Sequence, residues 1–205
     1  MSLAAAMHHR FGREPRSQAL AGAIADLLPP RAVALDLGCG DGKLAQRVSR
    51  ARPDVRIIGA DPLSPHGCAI SMVRYDGARL PFPPNAFDVV LLIDVVHHAG
   101  SPLALLAEAG RVARSAVVIK DHLADRFGAR PVLRFMDWMG NARRGVALPY
   151  NYWRRADWQR AFGDLHWSVA AWREHLDLYP GPLAPVFETG LHFMALLRPS
   201  TAPLP

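Results

Sequence analysis

The chain has 205 residues, half of them apolar, and carries a net charge of +6 at pH 7. This length suits one domain with a sizeable core. No apolar stretch approaches the roughly 20 residues that span a membrane, and the apolar start of the chain is too short for a secretory signal. Two cysteines, Cys39 and Cys68, give neither a disulfide framework nor a zinc-knuckle spacing. We expect a single soluble domain over 1–205 in the cytoplasm, with no membrane contact.

The positive charge comes almost wholly from arginine, because Lys43 and Lys120 are the only lysines. Genomic base composition is one explanation of this skew. A partner that carries phosphate or acidic groups is the other, and both stay open.

The first 121 residues alternate strand-like and helix-like segments. Apolar residues at helical spacing predict a helix over 14–28, within an N-terminal capping segment, 1–31. Short apolar runs predict strands at 32–37, 55–61, 69–77, 87–94 and 115–121. Between them, 43–51 and 102–113 are predicted as helices. Such alternation is typical of a parallel sheet that helices cover on both faces.

The pattern changes after residue 121. The segment 123–155 is rich in aromatic and arginine residues and has no clean strand periodicity, so we predict an irregular insertion that lines a pocket for an organic ligand. Helices that close the core, with solvated arginines, are the alternative. A further helix is predicted to begin at 156–162, and 166–175 and 191–199 predict a closing pair of strands.

A carboxylate stands at the end of each of the first five predicted strands. These residues are Asp36, Asp61, Asp76, Asp94 and Asp121. Ligands of a parallel sheet bind outside the carboxyl ends of its strands, where the connecting loops meet. We therefore expect one ligand site at that edge.

The loop after the first strand reads D-L-G-C-G-D-G, from Asp36 to Gly42, with a glycine at every second position. The dinucleotide fingerprint instead spaces its glycines as G-x-G-x-x-G, so that a pyrophosphate meets a helix N-terminus. Asp41 would repel a pyrophosphate. The loop therefore favours a ligand with a cationic amino group over a nicotinamide dinucleotide.

This loop resembles the first motif, D/E-x-G-x-G-x-G, of the class I S-adenosylmethionine-dependent methyltransferases. The segment YDGARLPFPPNAFDVVLLIDVVHH extends the similarity over 32–121 to the type 11 subset, which is related to small-molecule methyltransferases of quinone biosynthesis. The resemblance implies a Rossmann-like, three-layer α/β/α fold whose sheet has about seven strands, mostly parallel with an antiparallel C-terminal strand. It also implies an enzyme that uses S-adenosylmethionine as its cofactor.

The resemblance implies roles for individual residues. Asp36 would anchor the amino group of the cofactor, and Asp61 would accept hydrogen bonds from both ribose hydroxyls. Asp76 and Gly77 would read the adenine, although Asp76 as a plain turn residue is an alternative. The complete predicted cofactor site consists of Asp36, Gly38, Cys39, Gly40, Gly42, Asp61, Pro62, Asp76, Gly77, Ile93 and Asp94.

Histidines follow the fourth and fifth predicted strands. An acceptor hydroxyl or protonated nitrogen needs a base, and histidine titrates near neutrality. We predict His98 as that base, from its position in the resembled pattern, and Asp121 with His122 as further catalytic candidates. A histidine that only packs against the next helix is the alternative. Oxygen and imidazole groups in one pocket could hold a metal, but nothing fixes their spacing, so we predict none.

The sequence favours a small-molecule acceptor, methylated at oxygen, nitrogen or carbon. Its predicted contacts are His97, Trp138, Asn141, Tyr150, Asn151 and Tyr152. If Arg143, Arg144, Arg154 and Arg155 face the pocket, the acceptor is anionic. Nucleic acid is disfavoured, because D-V-V-H-H replaces the N-P-P-Y-like tetrapeptide of enzymes that methylate amino groups of DNA and RNA. The alternatives are a non-catalytic scaffold that binds the cofactor, an RNA or protein methyltransferase, and a nicotinamide-dependent oxidoreductase.

Overall fold

The computed structural model describes residues 14–63, 67–141, 148–179 and 184–199. The strands, in chain order, are β1 (Val33–Leu37), β2 (Arg56–Asp61), β3 (Met72–Arg74), β4 (Phe87–Ile93), β5 (Ala113–His122), β6 (Ser168–Arg173) and β7 (His192–Arg198). The helices are α1 (Glu14–Leu27), α2 (Lys43–Ala51), α3 (Pro102–Val112), α4 (Ala129–Asn141), α5 (Arg155–Asp164) and α6 (Ala184–Phe187). A 3₁₀ turn at Val96–His98 follows β4.

The strands form one seven-stranded sheet in the order β3-β2-β1-β4-β5-β7-β6. The five strands from β1 to β5 run parallel to one another, and β7 runs antiparallel to both β5 and β6. The predicted fold class is therefore confirmed. The parallel order brings the carboxyl ends of β1, β2, β4 and β5 to the same edge of the sheet.

Helices cover the sheet on both faces, which makes three layers. On one face, Leu106 of α3 and Trp158 of α5 belong to the apolar cluster beneath the sheet. On the other face, Ile24 of α1 and Val48 of α2 pack against it. Because β1, β4 and β5 are covered on both sides, their sequences are near-continuous apolar runs rather than alternating ones.

Two segments differ from the sequence prediction. The third strand, predicted over 69–77, is reduced to three residues, because β3 is an edge strand with partly exposed side chains and its chain enters a turn at Asp76. The segment predicted as irregular contains the thirteen-residue helix α4. Its inward residues, Ala129, Leu133 and Asp137, recur at intervals of four, but the acid interrupts the apolar pattern that signals a helix. No helix in the described ranges is long and apolar enough to cross a membrane.

Candidate active site

The glycine loop joins β1 to α2 at the carboxyl edge of the sheet. Gly38, Gly40 and Gly42 all adopt positive φ, the left-handed region that favours glycine. A Cβ on Gly38 would lie 2.5 Å from Cγ2 of Val95, and one on Gly42 would lie 2.8 Å from Sγ of Cys68. A Cβ on Gly40 meets no atom of the described residues within 4 Å. Packing thus requires two of the glycines, and the third borders open space at the site.

Asp61, at the end of β2, holds this loop in place. Its Oδ2 accepts a hydrogen bond from the backbone N–H of Gly40 at 2.9 Å, and its Oδ1 accepts one from that of Leu63 at 2.8 Å. An ionised carboxylate accepts about four hydrogen bonds, so both oxygens keep capacity for hydroxyl donors of a ligand. The predicted sugar-binding carboxylate therefore stands beside the glycine loop.

Asp36, at the end of β1, is a buried acid without a counter-cation. Burial, and then the neighbouring charge of Asp61, raises the pKa of Asp36 to about 7, and no cation of the described residues opposes that shift. Two neighbouring carboxyl groups without a cation beside them favour a ligand that carries a positive charge. The amino group of an amino-acid-tailed nucleoside fits that requirement.

The predicted adenine contacts lie in a turn after β3. Oδ1 of the exposed Asp76 accepts hydrogen bonds from the N–H groups of Ala78 and Arg79, both at 2.8 Å. Gly77 has φ 84°, and a Cβ there would lie 3.7 Å from Cγ of Pro62, within ordinary contact. Asp76 therefore orders the turn, which agrees with the alternative interpretation of Asp76 as a turn residue. Its contact with adenine stays a prediction.

A network of charged side chains lies beyond the glycine loop along the same edge of the sheet, at the ends of β4 and β5. The Asp94 carboxylate pairs with Arg16 of α1 and lies 2.5 Å from Nζ of Lys120, whose side chain is fully buried. That Nζ lies 3.3 Å from Nδ1 of His192, which lies 3.1 Å from Nδ1 of His122. Although burial opposes it, Lys120 and then Arg16 hold the pKa of Asp94 well below its usual range.

His97 lies between two carboxyl groups of the same network. Its Nδ1 is 2.6 Å from Oδ1 of Asp121, and its Nε2 is 3.4 Å from Oδ1 of Asp137 on α4. The hydroxyl of Tyr152 donates to the other oxygen of Asp137. Burial opposes a charge on His97, but Asp121 and then Asp137 raise its pKa to about 10. These two carboxyl groups therefore favour the imidazolium form of His97.

His98 differs from its neighbour because it is only partly buried. Its ring centroid lies 4.0 Å from that of His97. Burial, and then the charge of His97, lowers the pKa of His98 below its ordinary value. The imidazole of His98 is thus neutral at pH 7 and can accept a proton.

Two overlapping sets of side chains have metal-ligating atoms within 4.8 Å of one another. They are His97, Asp121 and His122, and His97, His98 and Asp137. In both sets, Nδ1 of His97 is already hydrogen bonded to Asp121. The surrounding network contains three carboxyl groups, Asp94, Asp121 and Asp137, and three basic side chains, Arg16, Lys120 and His97. These basic side chains already lie beside the carboxyl groups, and the absence of a metal stays a prediction.

The segment before α5 covers this network. Asn151 donates from Nδ2 to the carbonyl oxygen of Ala99 at 2.8 Å and from its backbone N–H to that of His97 at 3.3 Å. Tyr152 is buried against Asp137, and Tyr150 is partly buried. The structure therefore brings Asn151 and Tyr152 against the histidines, and the ring of Tyr150 lies beside that of Tyr152.

Trp138, the remaining predicted acceptor contact with a described side chain, does not join the cluster. The side chain of Trp138 is 57 % exposed on the outward half of α4. Asn141 ends α4, and its side chain lies outside the described residues, as do Arg143 and Arg144. Arg154 is exposed at the surface. Arg155 pairs with Glu174.

Four members of the network are absent from the predicted site. These are Arg16, Lys120, Asp137 and His192. The sequence could have identified Lys120, because a lysine inside an otherwise apolar strand needs a buried partner. It could also have identified Asp137 as an inward residue, since it lies four residues after the buried Leu133. Arg16 and His192 reach the network only through long-range packing.

The sheet order with its reversed β7, the glycine loop and the acids at the ends of β1 and β2 are those of the Rossmann-like fold that class I S-adenosylmethionine-dependent methyltransferases share. A family model described as a methyltransferase domain matches residues 35–119. Residues 35–119 thus match a methyltransferase domain, and the class of methyltransferases with this fold uses S-adenosylmethionine as its cofactor.

One curated relative is the tRNA (carboxymethyluridine(34)-5-O)-methyltransferase of Schizosaccharomyces pombe. It is 39 % identical over 75 residues, which cover 35 % of this chain and 31 % of the relative. The match thus spans about a third of the relative's length.

Solved structures share the fold at low identity. A SAM-dependent methyltransferase from Aquifex aeolicus is 15 % identical with a TM-score of 0.61, covering 95 % of this chain and 93 % of its own. The [4+2]-cyclase SpnF is also 15 % identical, with a TM-score of 0.64 and coverage of 90 % and 81 %. The fold therefore carries more than one chemistry, and the reaction must be argued from the site.

Proposed function

We propose that the protein transfers a methyl group from S-adenosylmethionine to a small-molecule acceptor whose nucleophile carries a proton. The observation that supports this proposal is the position of Asp36, Asp61 and His98 at adjoining strand ends of one sheet edge. The first two suit the amino and sugar groups of the cofactor, and the third supplies a neutral base. An acceptor bound at this edge would meet both the cofactor and the base.

When bound, S-adenosylmethionine supplies a methyl group that its sulfonium makes electrophilic. Asp36 would pair with the amino group, and Asp61 would accept the ribose hydroxyls while it holds the N–H of Gly40. The open space in front of Gly40 lets the backbone approach the ligand. These groups fix the cofactor, so that catalysis rests mainly on the alignment of the acceptor.

The acceptor side of the site favours a small group that is shielded from water. Asn151 and Tyr152 fasten the covering segment to the 3₁₀ turn and to α4. His98 would take the acceptor's proton as the new bond forms. Asp121 and His122 support this arrangement indirectly, since Asp121 holds His97 and the backbone N–H of Val96.

Cofactor affinity should fall in mild acid because Asp36 must be ionised to pair with an ammonium group. In the folded apoprotein the pKa of Asp36 is about 7 rather than 3.8, so the carboxyl is largely protonated below neutrality. We expect the affinity for S-adenosylhomocysteine, measured calorimetrically, to drop about tenfold per pH unit below about pH 7. An Asp36→Asn variant should bind weakly with no such slope. An unchanged wild-type affinity from pH 7 to about pH 5.5 would show that Asp36 does not hold the amine.

Replacing His98 by alanine should lower the rate of methyl transfer about 10²- to 10⁴-fold, because the acceptor's proton loses its base. Cofactor affinity should remain within a factor of about two, since His98 does not belong to the predicted cofactor site. His175→Ala, which removes an exposed histidine, is the matched control and should leave the rate unchanged. A His98→Ala variant of full activity would remove this residue from the mechanism.

The proposal is tested by following labelled methyl groups from S-adenosylmethionine into a panel of phenols, carboxylic acids and amines, together with bulk tRNA. Formation of S-adenosylhomocysteine with one acceptor class supports the proposal. Thermal stabilisation by S-adenosylhomocysteine without transfer to any acceptor would favour a cofactor-binding scaffold. Stabilisation by NADH instead would favour the oxidoreductase alternative.

A nucleobase carried by RNA is a second candidate acceptor. It is favoured by the tRNA methyltransferase from Schizosaccharomyces pombe, although that similarity covers only 35 % of this chain. The net charge of +6 also suits a polyanion. The tRNA arm of the acceptor panel separates this candidate from the first.

A further inference from the structure

Large apolar side chains remain exposed on and just before α4. Phe127 is fully exposed, and Phe135, Trp138 and Met139 are 48 %, 57 % and 41 % exposed. Exposed apolar side chains concentrated on so short a segment indicate a surface that binds another molecule. We call this surface, together with Arg130 and Arg134, the α4 face.

The helical period orders the side chains around α4. At 100° per residue, the buried stripe of Leu133 and Asp137 is followed by an edge that holds Arg130 and Arg134. Trp138 comes next, in the middle of the exposed half of the helix. Phe135 and Met139 lie beyond it. The basic edge therefore adjoins Asp137 and the active-site network, and the apolar edge faces away from it.

The arginines of the α4 face are available to an anion. Within the described ranges, neither Arg130 nor Arg134 lies within 4 Å of a carboxylate oxygen. The guanidinium carbon of Arg134 lies 4.5 Å from the ring centroid of Tyr150, which extends the platform towards the covering segment. A cleft of about 410 Å³ beside the helix is lined by Arg126, Phe127, Gly128, Arg130, Pro131 and Arg154, among others.

Exposed aromatic rings beside guanidinium groups form the kind of surface that binds single-stranded nucleic acid. Its bases stack on exposed rings, and its phosphates pair with arginines. A membrane-bound amphipathic helix also exposes aromatic and basic residues, but it turns a charged face to water opposite the apolar one. The side of α4 opposite its exposed half packs on the protein through Ala129 and Leu133. Both arginines also stand on the edge beside the site, where a bound strand could present a base.

The geometry points to the α4 face as a binding surface for single-stranded nucleic acid. This inference rests on the second candidate acceptor, a nucleobase carried by RNA. The arginines of the basic edge contact phosphates, and Trp138 and Phe135 stack on bases. Binding here does not require the cofactor. It can therefore be measured separately from methyl transfer.

The test is fluorescence anisotropy with a labelled single-stranded RNA of about 12 nucleotides, a length within the range of single-strand sites. We expect binding that weakens as salt rises. Trp138→Ala should reduce affinity about 5- to 150-fold through lost stacking. Arg134→Ala should lower the slope of log affinity against log salt by about 0.7. The matched controls, Val169→Ala and Arg50→Ala, remove an exposed apolar side chain and an exposed arginine elsewhere and should change neither quantity.

Each other outcome overturns the inference. No binding at low salt would do so, as would binding that Trp138→Ala and Arg134→Ala leave intact. Binding to vesicles of anionic lipid that both variants weaken, without binding to RNA, would assign the α4 face to a membrane. If the wild-type protein binds no RNA but methylates a small molecule, the inference fails and the first proposed function holds.

Discussion

Asp61→Ala is expected to weaken the binding of S-adenosylhomocysteine by at least about a hundredfold. The carboxylate would lose its predicted bonds to the ribose hydroxyls, and hydrogen bonds to a charged group contribute about 1.5–3 kcal/mol each. The variant also frees the N–H of Gly40, which Asp61 holds at 2.9 Å, so the loop loses its order. Isothermal calorimetry on wild type and variant measures the difference.

The Asn variant of the same residue separates the two effects. Asp61→Asn keeps one carbonyl oxygen for the N–H of Gly40 but replaces the other acceptor with a donor. We expect an intermediate affinity and a thermal stability between those of Asp61→Ala and the wild type, because the N–H of Leu63 loses its acceptor. Asp164→Ala, which removes an exposed acid at the end of α5, is the control and should bind normally. Normal affinity of Asp61→Ala would mean that the nucleoside does not lie against β2.

The sequence predicted the parallel part of the fold well because its signals are local. Continuous apolar runs such as 87–94 can be buried only inside a covered sheet, and the spacing of the glycine loop reflects the positive φ of its three glycines. β3 was predicted too long. At a sheet edge the pairing depends on a single neighbour, which the sequence of that segment does not encode.

The network of charged side chains at the ends of β4 and β5 was predicted less completely, because it is assembled across five elements. Arg16 on α1 and His192 on β7 meet Asp94 and Lys120 only after the sheet has formed. Sequence spacing carries no information about such contacts. Asp137 was missed for another reason, since an acid on the inward stripe of a helix reads as a break in amphipathicity.

Asp94→Ala should destabilise the protein by about 3–5 kcal/mol, the range found when one partner of a buried ion pair is removed. The Asp94 carboxylate lies between Arg16 and the fully buried Nζ of Lys120, so its loss leaves that ammonium group without its nearest anion. Lys120→Met should cost less, because Asp94 keeps Arg16. Urea-induced unfolding of each variant measures these changes.

The double variant decides whether the cost comes from the unpaired charge or from lost packing. The double variant Asp94→Ala with Lys120→Met has no unpaired ammonium group. It should therefore lose less stability than the sum of the two single losses, with a coupling energy of about 1–3 kcal/mol. Arg160→Ala, which breaks an exposed pair with Asp157, should cost less than about 0.5 kcal/mol. Strict additivity would contradict direct coupling between Asp94 and Lys120. Stability would then depend on how Asp94 fastens α1 through Arg16, and Arg16→Met would reproduce the full loss.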